Sequence, residues 1–293
     1  MRFFTNVLRW LLGFAAFCHA LFGVAAMASP DQLAVLIGLG QIVFSYVWVG
    51  HAGMLMFLIA IMSIPALYHP KKFRMFVWLI SAGTLLEGIF WYRASHETGG
   101  VVFAPLATFW LVIGIVEGII ILLLAEREVR FGFRNLIDTL DDWCESRDET
   151  NMFMRLFGYV VLAQFVLALF PIYAHLFSQR LLSWPIGEGV LFHSEVWIVL
   201  SGIELLVLAA LLIPVSWAPT RYWSYCWLTM LNSVIATIWW LLVAREPLHR
   251  GFLFYALINA TFGVAMFVFF QLGAPANRKL ASSNYQRFLS FLA

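Results

Sequence analysis

Polar residues in this chain are confined to short intervals. Between them run eight largely apolar stretches, near 9–28, 42–67, 73–93, 102–125, 154–178, 194–216, 222–243 and 252–272. Each reaches the roughly 20 residues that a helix rising about 1.5 Å per residue needs to cross hydrocarbon. The pattern predicts an all-α integral membrane protein with eight transmembrane helices. Ser29-Pro30-Asp31 sets a capping residue before a proline at the first helical position, which predicts a short surface helix over 30–37. Arg2, the apolar run and Ala26-Met27-Ala28 imitate a secretory signal. The run is longer than a signal core, so it is read as a retained first span.

Composition agrees with this pattern. Of 293 residues, 62% are apolar and 12% charged, a surplus of apolar surface that one globular core cannot hide. The net charge of +2 and the lack of any Lys/Arg stripe exclude a nucleic-acid binder. Cys18, Cys144 and Cys226 form no C-x-x-C pair, so neither a disulfide framework nor a metal knuckle is predicted, and no metal is assigned. Lys71, Lys72 and Arg74 follow the second span, Arg127, Arg130, Arg134 and Arg147 lie between the fourth and fifth, and Arg278 and Lys279 follow the eighth. By the positive-inside rule these segments and both termini are cytoplasmic, as in a multi-pass protein of a bacterial-type inner membrane. Arg180, Arg245 and Arg250 blur the alternation in the second half.

An offset of 149 residues aligns 33–114 with 182–263 without a gap. Val47-Trp48 meets Val196-Trp197, Gly53 meets Gly202, Ile64-Pro65 meets Ile213-Pro214, Trp78 meets Trp227, Trp91 meets Trp240 and Gly114 meets Gly263. An offset of 145 pairs Gly13 with Gly158 in the first span of each half. Four spans per copy is an even number, so the fold expected is two parallel tandem four-helix bundles. The segments are 1–125 for the first repeat, 126–153 for a cytoplasmic linker, 154–273 for the second repeat and 274–293 for a cytoplasmic tail. Pro70 meets Pro219 as well, proline at the cytoplasmic ends of the second and sixth helices is read as a helix stop, and the tryptophans as a membrane belt or as packing. In the linker, Val129, Phe133, Leu136, Ile137, Leu140 and Trp143 recur at helical spacing opposite an acidic face, predicting an amphipathic helix over 126–150. Its acidity disfavours anionic lipid. It is read as packing beneath its own bundles or docking a membrane or cytoplasmic protein partner.

Glu87, Glu117 and Glu204, with His19 and His51, are the ionisable candidates inside the apolar spans. Each costs at least a few kcal/mol in hydrocarbon unless paired, protonated or facing a wet cavity. Counting depth along the helices, His19 and Glu204 lie near the midplane, His51 and Glu87 toward the outside and Glu117 toward the inside, so His51 and Glu87 are expected to meet. Gly114-x-x-x-Gly118 brackets Glu117 and predicts a close helix approach. Under the 149 offset the partners of Glu87, Glu117, His51 and Glu204 are Ala236, Met266, Leu200 and Leu55. Polar content has diverged between the halves, which argues against a symmetric two-site transporter.

An apolar helix, the external segment Ser29-Pro30-Asp31 through Gly40, three further helices, and small residues such as Gly13 and Gly53 make a unit that resembles DoxX-like four-helix membrane domains, here duplicated. The resemblance implies either a membrane subunit associated with quinone-linked oxidoreductases or a protein without assigned activity, and carries no catalytic residue with it. No metalloprotease, Walker, dinucleotide or nucleophile-elbow motif is present, so no catalytic residue is assigned. The leading expectation is a non-enzymatic membrane scaffold or accessory subunit with no cofactor. The alternatives are a quinone- or lipid-binding redox subunit with the five ionisable residues lining its cavity, and a small-solute or proton-coupled transporter.

Overall fold

The computed structural model describes residues 2–30, 32–33, 46–70, 72–98, 103–128, 151–178, 195–245 and 247–273. Eight long helices carry the chain: α1 Arg2–Ala28, α2 Tyr46–Tyr68, α3 Arg74–Thr98, α4 Phe103–Glu128, α5 Met152–Phe177, α6 Glu195–Trp217, α7 Trp223–Val243 and α8 Leu253–Gly273, with a 3-10 turn, Pro247–Phe252, leading into α8. Among the described residues there is no strand. Seven of the eight are long and apolar enough to cross a membrane, and α4 carries a shorter apolar run, Pro105–Ile121. The protein is thus an all-helical, multi-pass membrane protein by length and hydropathy. The segment 129–150 and the tail 274–293, on which an amphipathic helix and a cytoplasmic tail were expected, lie outside the described residues, as do 34–45 and 182–194.

Helix neighbours follow a simple order. α1 lies along α2, α3 along α4, and α4 returns to α1. α5 lies along α6, α7 along α8, and α8 returns to α5. The two sets meet where α6 packs on α2 and α3, and where α7 packs on α2. α2 is therefore the innermost rod, with 83% of its apolar window buried, whereas α5 and α8 bury 22% and 17%. Their outer faces show Phe170, Tyr173, Phe254 and Leu257. In a bilayer such side chains need no covering, because lipid tails are as apolar as they are.

Without a hydrophobic drive between helices, close packing must hold them, and glycine sets where backbones approach. A Cβ at Gly53 of α2 would collide with Ala26 of α1, and one at Gly202 of α6 would collide with His175 of α5. A Cβ at Gly158 of α5 would collide with the Ser216 carbonyl of α6, and Gly13 of α1 sits over Leu67 of α2. Gly114 meets the backbone of Leu85, 2.9 Å from where its Cβ would stand, while nothing lies within 4 Å of Gly118. Only the first glycine of that pair makes a close helix contact among the described residues.

The expected helix stops stand at Pro70 and Pro219, two residues past the ends of α2 and α6, and not at Pro65 and Pro214. α2 runs on to Tyr68 and α6 to Trp217, and the Pro65 and Pro214 carbonyls each accept a further turn-closing bond at 3.1 Å, from His69 N–H and Ala218 N–H. A proline lacks a donor but keeps its acceptor, so near a C-terminus the helix outlasts it. The tryptophans divide. Trp48, Trp91 and Trp197 are 1% exposed and Trp240 5%, so these four are core, whereas Trp10 at 80% and Trp227 at 45% face outward.

The helix ends are tied by side chains. Arg9 of α1 donates to the Tyr68 carbonyl at the end of α2, at 3.1 Å. Asn151 caps α5 by accepting from Met154 N–H at 2.9 Å, and its amide donates to the Gly273 carbonyl at the end of α8, also at 2.9 Å. One residue thus closes α5 against α8. Asn151→Ala is expected to lower stability by about 1 kcal/mol, read as a lower thermal midpoint of the purified protein in detergent; an unchanged midpoint would remove Asn151 as a clamp.

Candidate functional site

Three ionisable side chains converge inside the helices, from α1, α3 and α6. His19 is 3% exposed, Glu87 2% and Glu204 0%. His19 Nε2 and Glu87 Oε1 are 2.6 Å apart. The other ring nitrogen, Nδ1, donates to the Ala15 carbonyl one turn back along α1, at 2.9 Å. A carbonyl can only accept, so Nδ1 carries a proton and Nε2 is the nitrogen free to face a proton or another electrophile. One ligand atom each from His19, Glu87 and Glu204 lies within 4.8 Å of the other two.

Small residues make the convergence possible. Gly23, one turn beyond His19, sits against Gly53 and Phe57, pressing α1 onto α2. Gly88, beside Glu87, meets the Leu111 backbone of α4. Gly83 of α3 meets Val207 of α6, with a Cβ position 2.8 Å from its methyl. Glu87 lies one turn forward of Gly83 and Glu204 about one turn back from Val207, so two antiparallel helices crossing there bring both carboxylates to one level. The His19 ring lies 4.5 Å from that of Trp110, which closes the α4 side.

Glu117 of α4 is buried, at 0% exposure, and is near enough for His19 to feel its charge. Ser81 faces it, but neither Glu117 oxygen reaches hydrogen-bond geometry with any partner among the described residues. The same holds for both oxygens of Glu204 and for Glu87 Oε2, although Glu87 and Glu204 are close enough to interact. A buried, unbonded carboxylate oxygen costs about 1–3 kcal/mol.

His51 lies elsewhere. It does not meet Glu87; it faces His175 of α5, with ring centroids 5.7 Å apart, and Trp240 of α7, at 4.6 Å. Trp48 and Phe252 complete this aromatic enclosure. His175 Nδ1 donates to the Pro171 carbonyl at 2.6 Å, leaving Nε2 buried without a partner among the described residues. Depth counting put His51 and Glu87 at one level, but their side chains leave α2 and α3 in different directions. His175 was not among the expected residues. Its only signal was an imidazole close to Pro171 near the end of an apolar span.

A groove of about 350 Å³ opens between α7 and α8, lined by Met230, Thr237, Asn259, Gly263 and Phe267 among others. None of the five candidate residues lines it. No known family's sequence profile matches this chain, nor does any curated protein or solved structure.

The geometry makes separate demands on the pair and on the third acid. His19→Gln and Glu87→Gln are each expected to destabilise the protein, with the double variant departing from additivity by about 1–3 kcal/mol; strictly additive midpoints in detergent would show that the contact is not coupled. Glu204→Leu is expected to hold or raise the thermal midpoint, because it removes an unsatisfied acid from an apolar interior. A large drop would show instead that Glu204 is a structural strut.

Proposed function

We propose that this chain is an integral membrane transporter of a small cation, and that the translocated species is held at His19, Glu87 and Glu204. The observation that carries this reading is the surplus of acid. A structural pair needs one imidazole and one carboxylate, and His19 with Glu87 at 2.6 Å supplies it. Glu204 and Glu117 are left over, both 0% exposed, with four carboxylate oxygens lacking a hydrogen-bond partner among the described residues. Ser81 beside Glu117 and Glu87 beside Glu204 satisfy neither acid with a well-formed hydrogen bond, and intramembrane ionisable residues mark ion and substrate paths.

Two tandem bundles, both entering the membrane in the same sense, are part of the proposal. Several contacts support this arrangement. Phe76 stacks on Tyr225, its own partner under the 149 offset, at 3.5 Å and 12° between planes. Around them the crossed contacts match, with Phe73–Tyr225 at 5.2 Å and Phe76–Tyr222 at 5.1 Å. Residues that meet their own counterparts lie on a twofold axis, and parallel repeats relate by an axis along the membrane normal. The glycine contacts of α1 on α2 and of α5 on α6 recur at matching positions as well. The inner-membrane location, with both termini cytoplasmic, rests on the basic segments after α2, α4 and α8.

The linker helix that motivated the scaffold reading falls in 129–150, outside the described residues. The quinone- or lipid-binding reading draws no support from the groove between α7 and α8, which none of the five residues lines.

Reconstituted into proteoliposomes, the wild-type protein is expected to move at least one member of a cation panel of H⁺, Na⁺, Mg²⁺, Mn²⁺ and Zn²⁺, with Glu204→Gln lowering the rate tenfold or more, equivalent to about 1.4 kcal/mol. Absence of flux for every ion, or equal flux in wild type and Glu204→Gln, defeats the proposal. Reporter fusions at the C-terminus and after residue 128 are expected to read cytoplasmic; a periplasmic reading at either overturns the orientation.

A further inference from the structure

We infer that His19, Glu87 and Glu204 form a binding site for a divalent transition-metal ion, with His19 Nε2 and one oxygen from each glutamate as its ligands. This names the species for the site proposed above and rests on that reading only for what is moved, not for what is bound.

Four features of the constellation select such an ion. The first is donor geometry. The three ligand atoms lie within 4.8 Å of one another, and ligands at about 2.1 Å from a common zinc-like ion stand about 3.4 Å apart in a tetrahedron and about 4.2 Å apart when opposite. To reach that spacing the 2.6 Å His19–Glu87 contact opens by about 0.8 Å and the Glu204 oxygen closes in from within 4.8 Å. The second is the outer support of the imidazole. Nδ1 is fixed on the Ala15 carbonyl at 2.9 Å, the arrangement by which ligating histidines are held in one tautomer with the other nitrogen aimed at the metal.

The third is charge. A neutral imidazole with two carboxylates carries two negative charges, which a divalent ion cancels and a monovalent one leaves half-uncompensated in an apolar interior. The ion takes the place of the proton held between Nε2 and Oε1. The fourth is the donor mix. One nitrogen among oxygens suits zinc, manganese or iron(II), whereas magnesium and calcium call for all-oxygen shells of six to eight ligands. Both oxygens of Glu204 are fully buried and make no well-formed hydrogen bond among the described residues, so their lone pairs are open to a cation. Three protein ligands leave a coordination position open, as exchangeable metal sites do.

No sequence spacing could announce this site, because its ligands come from three helices and the nearest two are 68 residues apart. That is why the absence of a metal motif in the chain does not bear on it.

The test is binding of cobalt(II) to the purified full-length protein in detergent. One saturable equivalent is expected, with the visible d–d bands of a low-coordinate ion, displaced by Zn²⁺ or Mn²⁺ and not by Mg²⁺. Glu204→Gln and His19→Gln are each expected to weaken binding about 100-fold, and His69→Gln, on the surface, to leave it unchanged. Failure of wild-type protein to bind, or equal binding by wild type and Glu204→Gln, overturns the inference. A measurement on wild type alone guards against misfolded variants: hyperfine spectra of bound Mn²⁺ are expected to show one ligating nitrogen, and two or none overturns the assignment. A protein that carries other cations in proteoliposomes yet never binds cobalt, zinc or manganese defeats this inference and leaves transport standing. One that binds cobalt and moves nothing does the reverse.

Discussion

Hydrocarbon offers no hydrogen bond, so every polar group carried into it must find its partner within the protein, and in this chain that requirement falls most heavily on Glu87. Its carboxylate sits 2% exposed in α3, and the His19 ring reaches it at 2.6 Å across the α1–α3 gap. Much of the interior serves that contact. Gly23 and Gly53 press α1 against α2, Gly88 and Gly114 press α3 against α4, and each glycine stands where a methyl group would strike backbone or side chain. Helices lacking a hydrophobic drive to associate can be held this closely only where their surfaces are small. The site is built by removing side chains as much as by placing them.

The same physics explains why α6 matters to the first half. Glu204 enters the His19–Glu87 neighbourhood from the other half of the chain because Gly83 lets Val207 approach α3. A bundle made of α1–α4 alone would hold the His19–Glu87 pair with Glu117 buried nearby. Adding α6 turns it into an acid-rich centre shared between halves. In the second half the related position of α5 bears Gln164, whose amide donates to Ser233 of α7 at 3.4 Å. There the α5–α7 contact is neutral. The first half thus supplies His19 and Glu87 and the second Glu204, while the aromatic wall around His51 and His175 draws Trp48 from α2 and Trp240 from α7.

Much of the architecture could be read from residue order. Apolar runs predicted eight helices, and their ends agree with the structure to within a few residues except at the start of α1 and the end of α3. That is expected where hydrocarbon thickness sets the length of every element. The five buried ionisable residues were equally visible, because a charge within an apolar span stands out whatever surrounds it. All five are buried, between 0% and 5% exposed.

Which of them meet was not legible. Depth along a helix fixes one coordinate, and counting residues set His51 beside Glu87. The partner is His19, because the direction in which a side chain leaves its helix depends on how that helix is rotated against its neighbours, and glycine contacts between distant segments decide the rotation. His175 escaped notice for the same reason. Sequence by itself determined the solvent, the number of rods and which rods carry charge, since hydropathy is a local property that lipid reads directly. Only tertiary structure decided that His19, Glu87 and Glu204 form one centre and His51 and His175 another, since assembling either requires the azimuth of several helices, which packing sets and no single helix encodes.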